Sequence, residues 1–404
     1  MRRTTTLGAL ATGLALIAAA PASAHHPKPK PVKVEKIAGD LDNPRHVAVA
    51  KDGDVWVAEA GTGAPAAESK SCFNSAEGAA CTGESGAITR INRWGQKRVV
   101  TGLASFANAT GNSAIGPHGI FADGNDVYFT NGGPTAPWRG DDDTQTVLRN
   151  PTLVSEERVS RYYGTLRKVV PWGKGHVKIA DPWRFEKRNN PDEQVGNFRI
   201  DSNPVDVWAD HGRFFIADAG GNTVLRANRW GGISVAALFA NRDTPNPFPP
   251  PPEGPPLPPI IPMNAVPTGV VKGPDGALYM SQLTGFPFPV GGANVYRIDP
   301  RGGPPTVYAS GFTNIIDLDF GKDGTLYVLE MDSDSLLVGP AEGGSNAGAL
   351  YTVGWRGKPK QQVALPAGTL THPGGVAVGK RGDLYVTNRS DEADFGEVLK
   401  IDLG

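Results

Sequence analysis

The chain has 404 residues, 40 Lys and Arg against 41 Asp and Glu, and a formal net charge of -1. This near-neutral balance argues against nucleic acid as a partner, because phosphate binding needs a basic surface. The 52 glycines and 36 prolines favour many tight turns between short strands.

Residues 1–24 have the pattern of a secretory signal peptide. Arg2-Arg3 forms the charged end, Leu7–Ala20 is an apolar run, and Ala22–Ala24 is a small-residue cleavage site. The apolar run is too short to span a membrane, and no later stretch is long enough. We therefore expect an exported protein without a membrane span, whose mature chain begins with a disordered polar tail over residues 25–31.

Six near-copies of one hairpin motif organise the rest of the chain. Each copy has an apolar strand, a Gly-containing turn, and a second strand with an aromatic residue. The first strand begins near a Pro in five copies and near Ile315 in the fifth copy. The copies begin at Asn43, Gly116, Asn203, Val266, Asn314 and His372. Self-similarity at periods of tens of residues indicates a repeat architecture.

Two further strands follow the hairpin in each of the first five units, which predicts four-stranded antiparallel meanders. Such a meander is a blade of a β-propeller, so the predicted fold is an all-β, six-bladed ring. The sixth unit has only one more strand, Glu397–Asp402, whereas an orphan strand, Val32–Ala38, precedes the first unit. We predict that the orphan strand completes the last blade, so that residues 32–404 form a single domain, and that the protein is a monomer.

Long insertions follow the second strand of three blades, over Gly61–Gly86, Gly132–Arg161 and Asp332–Gly348. In a meander these insertions share one face with the connections between blades, and we call it the long-loop face; the opposite side is the hairpin face. One connection contains a Pro-rich insertion at residues 245–262, which is either an extended spacer or a docking ligand for another domain. Function is expected on the long-loop face.

Cys72 and Cys81 are the only cysteines, and both lie in the first insertion. In an exported chain a pair of cysteines is more often a disulfide than a metal site. A zinc site would need two more ligands nearby. We predict a disulfide that orders this insertion and stabilises the protein by about 2–3 kcal/mol.

Two rings of residues occupy equivalent positions of the blades. The first ring lies at the start of the innermost strands and is predicted to bind a ligand; it comprises Arg45, His46, His118, Asp206, Thr268, Asp317 and His372. The second ring lies at the end of the next strands and is predicted to cap the blades by satisfying backbone N–H groups; it comprises Glu59, Asn131, Asp218, Gln282, Glu330 and Asn388. The first ring varies between blades, which favours binding over a repeated structural need.

The rings form a polar funnel that could hold an oxygen-ligated cation such as Ca²⁺, which is the one cofactor the residues suggest. His46 and His118 could exchange a proton near neutral pH. The familiar local catalytic signatures, such as G-x-S-x-G and H-E-x-x-H, are missing from the sequence. We therefore assign no residue a catalytic role.

The segment Ile216–Asn228, IADAGGNTVLRAN, resembles the NHL repeat, and P-x-G-V-x-V…DG-x-L-Y-V is similar to the pattern of gluconolactonase-like six-bladed propellers. More narrowly, LDNPRHVAVAKDGDVWVAEAG, the Cys-containing insertion and GPHGI resemble the ScyD/ScyE family of exported propellers. The resemblance covers nearly the whole mature chain. It implies a secreted, non-catalytic propeller whose partner is an unknown small molecule or protein.

The gluconolactonase-like enzymes imply an alternative, a metal-dependent lactonase or esterase. Such enzymes hold a divalent metal at the channel mouth with a Glu, one or two Asn and an Asp. The matching positions here are Arg45, His118, Val205, Thr268, Ile316 and Gly374. The Glu and Asn ligands are therefore absent, and Asp206 and Asp317 stand one place later. A second alternative on the same architecture is a quinone-dependent sugar dehydrogenase, for which the sequence has no motif.

Overall fold

The computed structural model describes residues 31–404 apart from 66–67, 70–71, 76–77, 124–125, 134–161, 171–174, 250–256, 340–342 and 356–358. Its sheets form six antiparallel blades of at least four strands each. The predicted six-bladed, all-β propeller is thereby confirmed. The predicted signal peptide and residues 25–30 of the predicted tail lie outside the described residues.

Each blade has an inner strand beside the channel, a second and a third strand, and an outer strand. The inner strands of blades 1 to 6 are Pro44–Val49, Pro117–Asp123, Pro204–Asp210, Pro267–Lys272, Ile315–Phe320 and Gly375–Val378. The second strands are Val55–Glu59, Asp126–Asn131, Arg213–Asp218, Leu278–Gln282, Leu326–Glu330 and Leu384–Asn388. The third strands are Gly78–Asn92, Thr165–Val169, Thr223–Asn228, Ala293–Ile298, Ala349–Val353 and Gly396–Asp402. The outer strands are Gly95–Asn108, His176–Ala180, Ile233–Leu238, Thr306–Phe312, Lys360–Gln362 and Lys33–Leu41.

The N-terminal strand completes blade 6. Lys33–Leu41 pairs antiparallel with Gly396–Asp402. Its Ala38 and Leu41 side chains are buried with Val398 in the cluster between blades 6 and 1. The predicted closure is confirmed, and it covers a strand edge that would otherwise be free to pair with another chain.

Six of the eight hydrophobic clusters in the described residues lie between adjacent blades, one between each pair. The clusters follow the ring in order, between blades 1 and 2, 2 and 3, 3 and 4, 4 and 5, 5 and 6, and 6 and 1. Alternating strand residues fill them, because successive side chains of a strand point to opposite faces of the sheet. The centre of the ring is left as a channel lined by the inner strands.

The first insertion is more ordered than a loop. Cys72–Ser75 pairs with the beginning of Gly78–Asn92, and the Cys72–Cys81 disulfide joins two directly opposed residues of this hairpin. The disulfide prediction is confirmed, but the prediction of Gly61–Gly86 as a continuous loop is wrong. The insertion is rich in Gly and Ala, which have low β-propensity, so its composition does not predict a strand. Pairing with the opposite strand stabilises the hairpin despite this low propensity.

Two elements decorate the connections between blades. A helix at Pro182–Asn189 follows blade 2, begins after the capping residue Asp181, and continues into a 3-10 helix at Pro191–Val195. The residues flanking the Pro-rich insertion form a small hairpin of Arg242–Pro245 and Ile260–Met263, whereas residues 250–256 lie outside the described part. No helix in the described ranges is long and apolar enough to cross a membrane.

Candidate functional site

The position two residues after the Pro that opens each copy of the motif (Ile315 in blade 5) alternates between a polar side chain and glycine around the ring. The six residues, in blade order, are His46, Gly119, Asp206, Gly269, Asp317 and Gly375. Each glycine allows the polar residue of the next blade to approach. A Cβ on Gly119 would lie 2.4 Å from Cα of Asp206, and one on Gly375 would lie 2.7 Å from Cα of His46.

His46, Asp206 and Asp317 meet in the channel, and we call them the channel triad. One potential ligand atom from each lies within 4.8 Å of the others, and no other His, Cys, Asp or Glu group of the described residues meets this criterion. All three are buried, with His46 only 1% exposed. Nδ1 of His46 is 3.1 Å from Oδ1 of Asp206.

Backbone groups of the next blade hold the two carboxylates in place. Oδ2 of Asp206 accepts a hydrogen bond from the N–H of Val270 at 2.8 Å, and Oδ2 of Asp317 accepts one from Val376 at 2.8 Å. Oδ1 of Asp317 also accepts from Leu318 at 2.7 Å. The carboxylates are therefore fixed by the inner strands themselves.

The charges of the triad side chains shift the pKa values of His46 and Asp317. Burial disfavours the charged imidazole of His46, but the carboxylates of Asp317 and Asp206 outweigh this effect and raise the pKa of His46 to about 9. Burial raises the pKa of Asp317 to about 7, against the opposing effect of His46. At neutral pH the imidazole therefore carries a proton that balances part of the carboxylate charge.

A cavity of about 140 Å³ extends from the triad along the channel. Its lining begins at the triad residues in three blades and one residue after the glycine in the other three, and it continues with later residues of the inner strands. The cavity therefore runs from the triad toward the hairpin face. Asp319 contributes a further carboxylate, whose Oδ2 accepts a hydrogen bond from Val378 at 2.7 Å. Burial raises the pKa of Asp319 to about 6.

Arg45 and His118 lie one residue earlier than the triad positions and therefore closer to the long-loop face. The His118 ring contacts His46 edge-on, with 5.3 Å between ring centroids. Its Nδ1 is 2.9 Å from the carbonyl oxygen of Val205, so Nδ1 carries the proton and Nε2 is the acceptor nitrogen. Burial, together with the charges of Arg45 and His46, holds the pKa of His118 well below its usual value. Arg45 donates to the carbonyl of Ala114.

The other two residues of the predicted binding ring make polar contacts outside the triad. The Thr268 hydroxyl donates to the carbonyl of Ile315 at 2.8 Å. His372 has Nδ1 2.6 Å from Asp391 and Nε2 3.5 Å from Asp332. These two carboxylates outweigh the effect of burial and raise the pKa of His372 to about 9.

The second ring makes the contacts that a capping role requires, although that role stays a prediction. In four blades the side chain accepts a hydrogen bond from a backbone N–H just before the inner strand of the same blade. The pairs are Glu59 with Asp42 at 2.9 Å, Asp218 with Asn203 at 2.7 Å, Glu330 with Thr313 at 2.8 Å and Asn388 with Thr371 at 2.8 Å. Gln282 accepts from Asn294 at 3.3 Å, and Asn131 donates to Ala104 at 3.3 Å.

No protein-family model and no curated protein matches this chain. A protein described as an oxidoreductase (glucose dehydrogenase) from Thermus thermophilus is 14% identical, with a TM-score of 0.50 over 92% of this chain and 100% of that chain. A gluconolactonase from Xanthomonas campestris is 9% identical, with a TM-score of 0.50 over 92% of this chain and 90% of that chain. At these identities the likeness shows the fold alone, that of gluconolactonase-like and related six-bladed propellers.

Proposed function

We propose that this chain is a secreted propeller of the ScyD/ScyE type that binds a small polar molecule, without transforming it, at the long-loop end of its channel. The observation that carries the proposal is the convergence of Arg45, His46, His118, Asp206 and Asp317 from four blades. Converging polar groups at a concave site are what a binding site requires.

The fold does not need a polar side chain at the triad position in every blade. Blades 4 and 6 carry Gly269 and Gly375 where blades 1, 3 and 5 carry the triad, and all are built alike. The second ring, by contrast, is polar in every blade and is engaged with local backbone groups. A structural need repeated in every blade thus accounts for the second ring. In the first ring Asp206 and Asp317 also accept hydrogen bonds from the next blade, but three blades have glycine at the triad position.

The positions that match the metal ligands of gluconolactonase-like enzymes support binding without chemistry. Arg45, Thr268 and Gly374 stand at three of them, and none of these side chains offers an oxyanion or imidazole ligand. The confirmed disulfide supports the exported location, because disulfides persist in oxidising compartments.

A thermal-shift panel of hydroxy acids, sugars, amino acids and lactones tests the proposal on the full mature chain. At least one class should raise the melting temperature; a ligand at 100 times its Kd stabilises by about 2.7 kcal/mol. His118→Ala should abolish the shift. His211→Ala is the matched control, because its side chain is 93% exposed on the hairpin face and should keep the shift. A panel without any shift, or an equal shift in His118→Ala, would contradict the proposal.

A metal-dependent lactonase or esterase is the second candidate, and the state of His118 favours it. A buried, neutral imidazole whose Nδ1–H is already engaged presents Nε2 as a base. Hydrolysis of a lactone and aryl-ester panel, with EDTA and with added Mn²⁺ or Zn²⁺, separates the two candidates. Turnover that needs both the metal and His118 would replace the binding proposal. No feature of the described residues favours the quinone-dependent dehydrogenase.

A further inference from the structure

We infer that the channel triad, His46, Asp206 and Asp317, is a binding site for a divalent cation that accepts mixed nitrogen and oxygen ligands, the class of Zn²⁺ and Mn²⁺. The triad adjoins Arg45 and His118 and shares its three residues with the proposed binding site, but cation binding is measured without any ligand of that site. The triad also differs from the positions that resemblance to gluconolactonase-like enzymes would select.

The separations between the triad atoms fit one ion. Two neighbouring ligands at 2.1 Å from an octahedrally coordinated ion lie about 3.0 Å apart, and two opposite ligands lie about 4.2 Å apart. The full set of ligand atoms falls within 4.8 Å, which accommodates ligands both beside and across from one another. The three side chains come from alternate blades and therefore approach the channel axis from three sides.

An independent observation points to a ligand at this place. Nε2 of His46 is buried, and among the described residues it has no hydrogen-bond partner of acceptable distance and angle. The carbonyl oxygen of Ile316 is near enough to stabilise the protonated ring of His46, but it does not meet the distance and angle criteria for a hydrogen bond to Nε2. A buried polar atom without a partner is costly, so His46 is placed for something beyond the polypeptide.

The surroundings have the features of a constructed metal site. Backbone N–H groups of Val270, Val376 and Leu318 orient the two carboxylates, as outer-shell partners orient metal ligands. Three protein ligands leave coordination positions open, and the adjoining cavity of about 140 Å³ has room for water molecules of roughly 30 Å³ each.

The donor set also selects the cation. Ca²⁺ takes six to eight oxygen ligands, whereas imidazole suits Zn²⁺ and other transition metals. One imidazole with two carboxylates therefore favours the Zn²⁺ and Mn²⁺ class over the Ca²⁺ expected from the polar rings.

Calorimetric titration of EDTA-treated protein tests the site. The full mature chain should carry His25→Ala and His26→Ala in every sample, because the N-terminal His pair could bind Zn²⁺ on its own. We expect one Zn²⁺ or Mn²⁺ per chain, and weaker binding of Ca²⁺. Asp317→Asn should weaken binding by more than the roughly 10- to 100-fold lost when an outer-shell partner is removed.

Asp319→Asn is the matched control for Asp317→Asn. Asp317 is buried and Asp319 is half-buried in the channel. Both carboxylates accept hydrogen bonds from their own strand and from blade 6, but only Asp317 belongs to the triad. Asp319→Asn and His118→Ala should bind the cation like the parent. Asp206→Asn provides a second triad variant if Asp317→Asn fails to fold by circular dichroism.

Three results would overturn the inference. They are the absence of Zn²⁺ and Mn²⁺ binding by the parent, binding that is equal in the folded triad variant and the parent, and equal losses in Asp317→Asn and Asp319→Asn. Tighter binding of Ca²⁺ than of Zn²⁺ and Mn²⁺ would overturn the assigned class of cation. Loss of binding in the triad variant alone supports the site, whatever the outcome of the ligand panel at the mouth.

Discussion

Leu41→Ala tests whether the N-terminal strand holds the ring closed. Leu41 is the last residue of that strand, is 1% exposed, and lies in the cluster between blades 6 and 1 with Val47, Val57 and Val398. Replacing a buried Leu by Ala costs about 2.7–5.0 kcal/mol, the sum of lost transfer energy and a residual cavity. We expect a loss of about 3 kcal/mol, near the lower end, because a strand end can relax.

Calorimetry and urea unfolding measure this loss. At about 2.1 cal/mol/K per residue, a domain of about 370 residues loses roughly 4 °C in Tm for 3 kcal/mol. Glu35→Ala, at an exposed position of the same strand, is the control and should stay within about 0.5 kcal/mol. Deleting residues 32–38 should lower stability further, since it removes most of a blade's outer strand. An unchanged Tm in Leu41→Ala would refute the docking of this strand in solution.

Three further predictions concern the disulfide, the capping ring and pH. Cys72→Ala should cost about 2–3 kcal/mol yet leave the ring folded, and non-reducing mass spectrometry of the parent should show one linked peptide; two free thiols would contradict it. Asp218→Ala should destabilise by about 1–3 kcal/mol, because it leaves the N–H groups of Asn203 and Gly221 without their acceptor; an unchanged urea midpoint would count against the capping role. Burial and neighbouring carboxylates raise the pKa of Glu186 to about 9, so the folded state holds a proton that the unfolded state releases above about pH 4.5, and stability should fall as pH rises from there to 9. Glu186→Gln should flatten that decline in Tm, and an identical slope in the variant would refute the assignment.

The fold could be predicted because each blade repeats the same signals. A Pro near the start of the inner strand, a Gly-containing turn and an aromatic second strand recur six times, and the missing strand of blade 6 identifies Val32–Ala38 as its complement. The helix at Pro182–Asn189 was missed, although Asp181 followed by Pro182 is a recognisable helix start. The hairpin at Cys72 could not be anticipated, because cross-strand pairing rather than composition stabilises it.

The candidate site was predicted by position but not by geometry. The sequence groups these residues near the starts of the inner strands, and Asp206 and Asp317 stand one place later than the resemblance requires. The sequence does contain a signal that His46, Asp206 and Asp317 converge, because they alternate with glycine from blade to blade around the ring. His372 was placed in the same ring, but its backbone is left-handed with φ of 37° and its ring lies between Asp332 and Asp391. Both partners come from loops, and the repeat pattern of the sequence does not predict the conformation of a loop.

Anomalous diffraction from crystals of the full mature chain grown with Zn²⁺ or Mn²⁺ tests most directly whether the channel triad binds a divalent cation. We expect one strong anomalous peak inside the channel, about 2.0–2.2 Å from a ring nitrogen of His46 and from oxygens of Asp206 and Asp317. A channel without a peak, or a single peak elsewhere, such as among the buried carboxylates near Glu186, would contradict it.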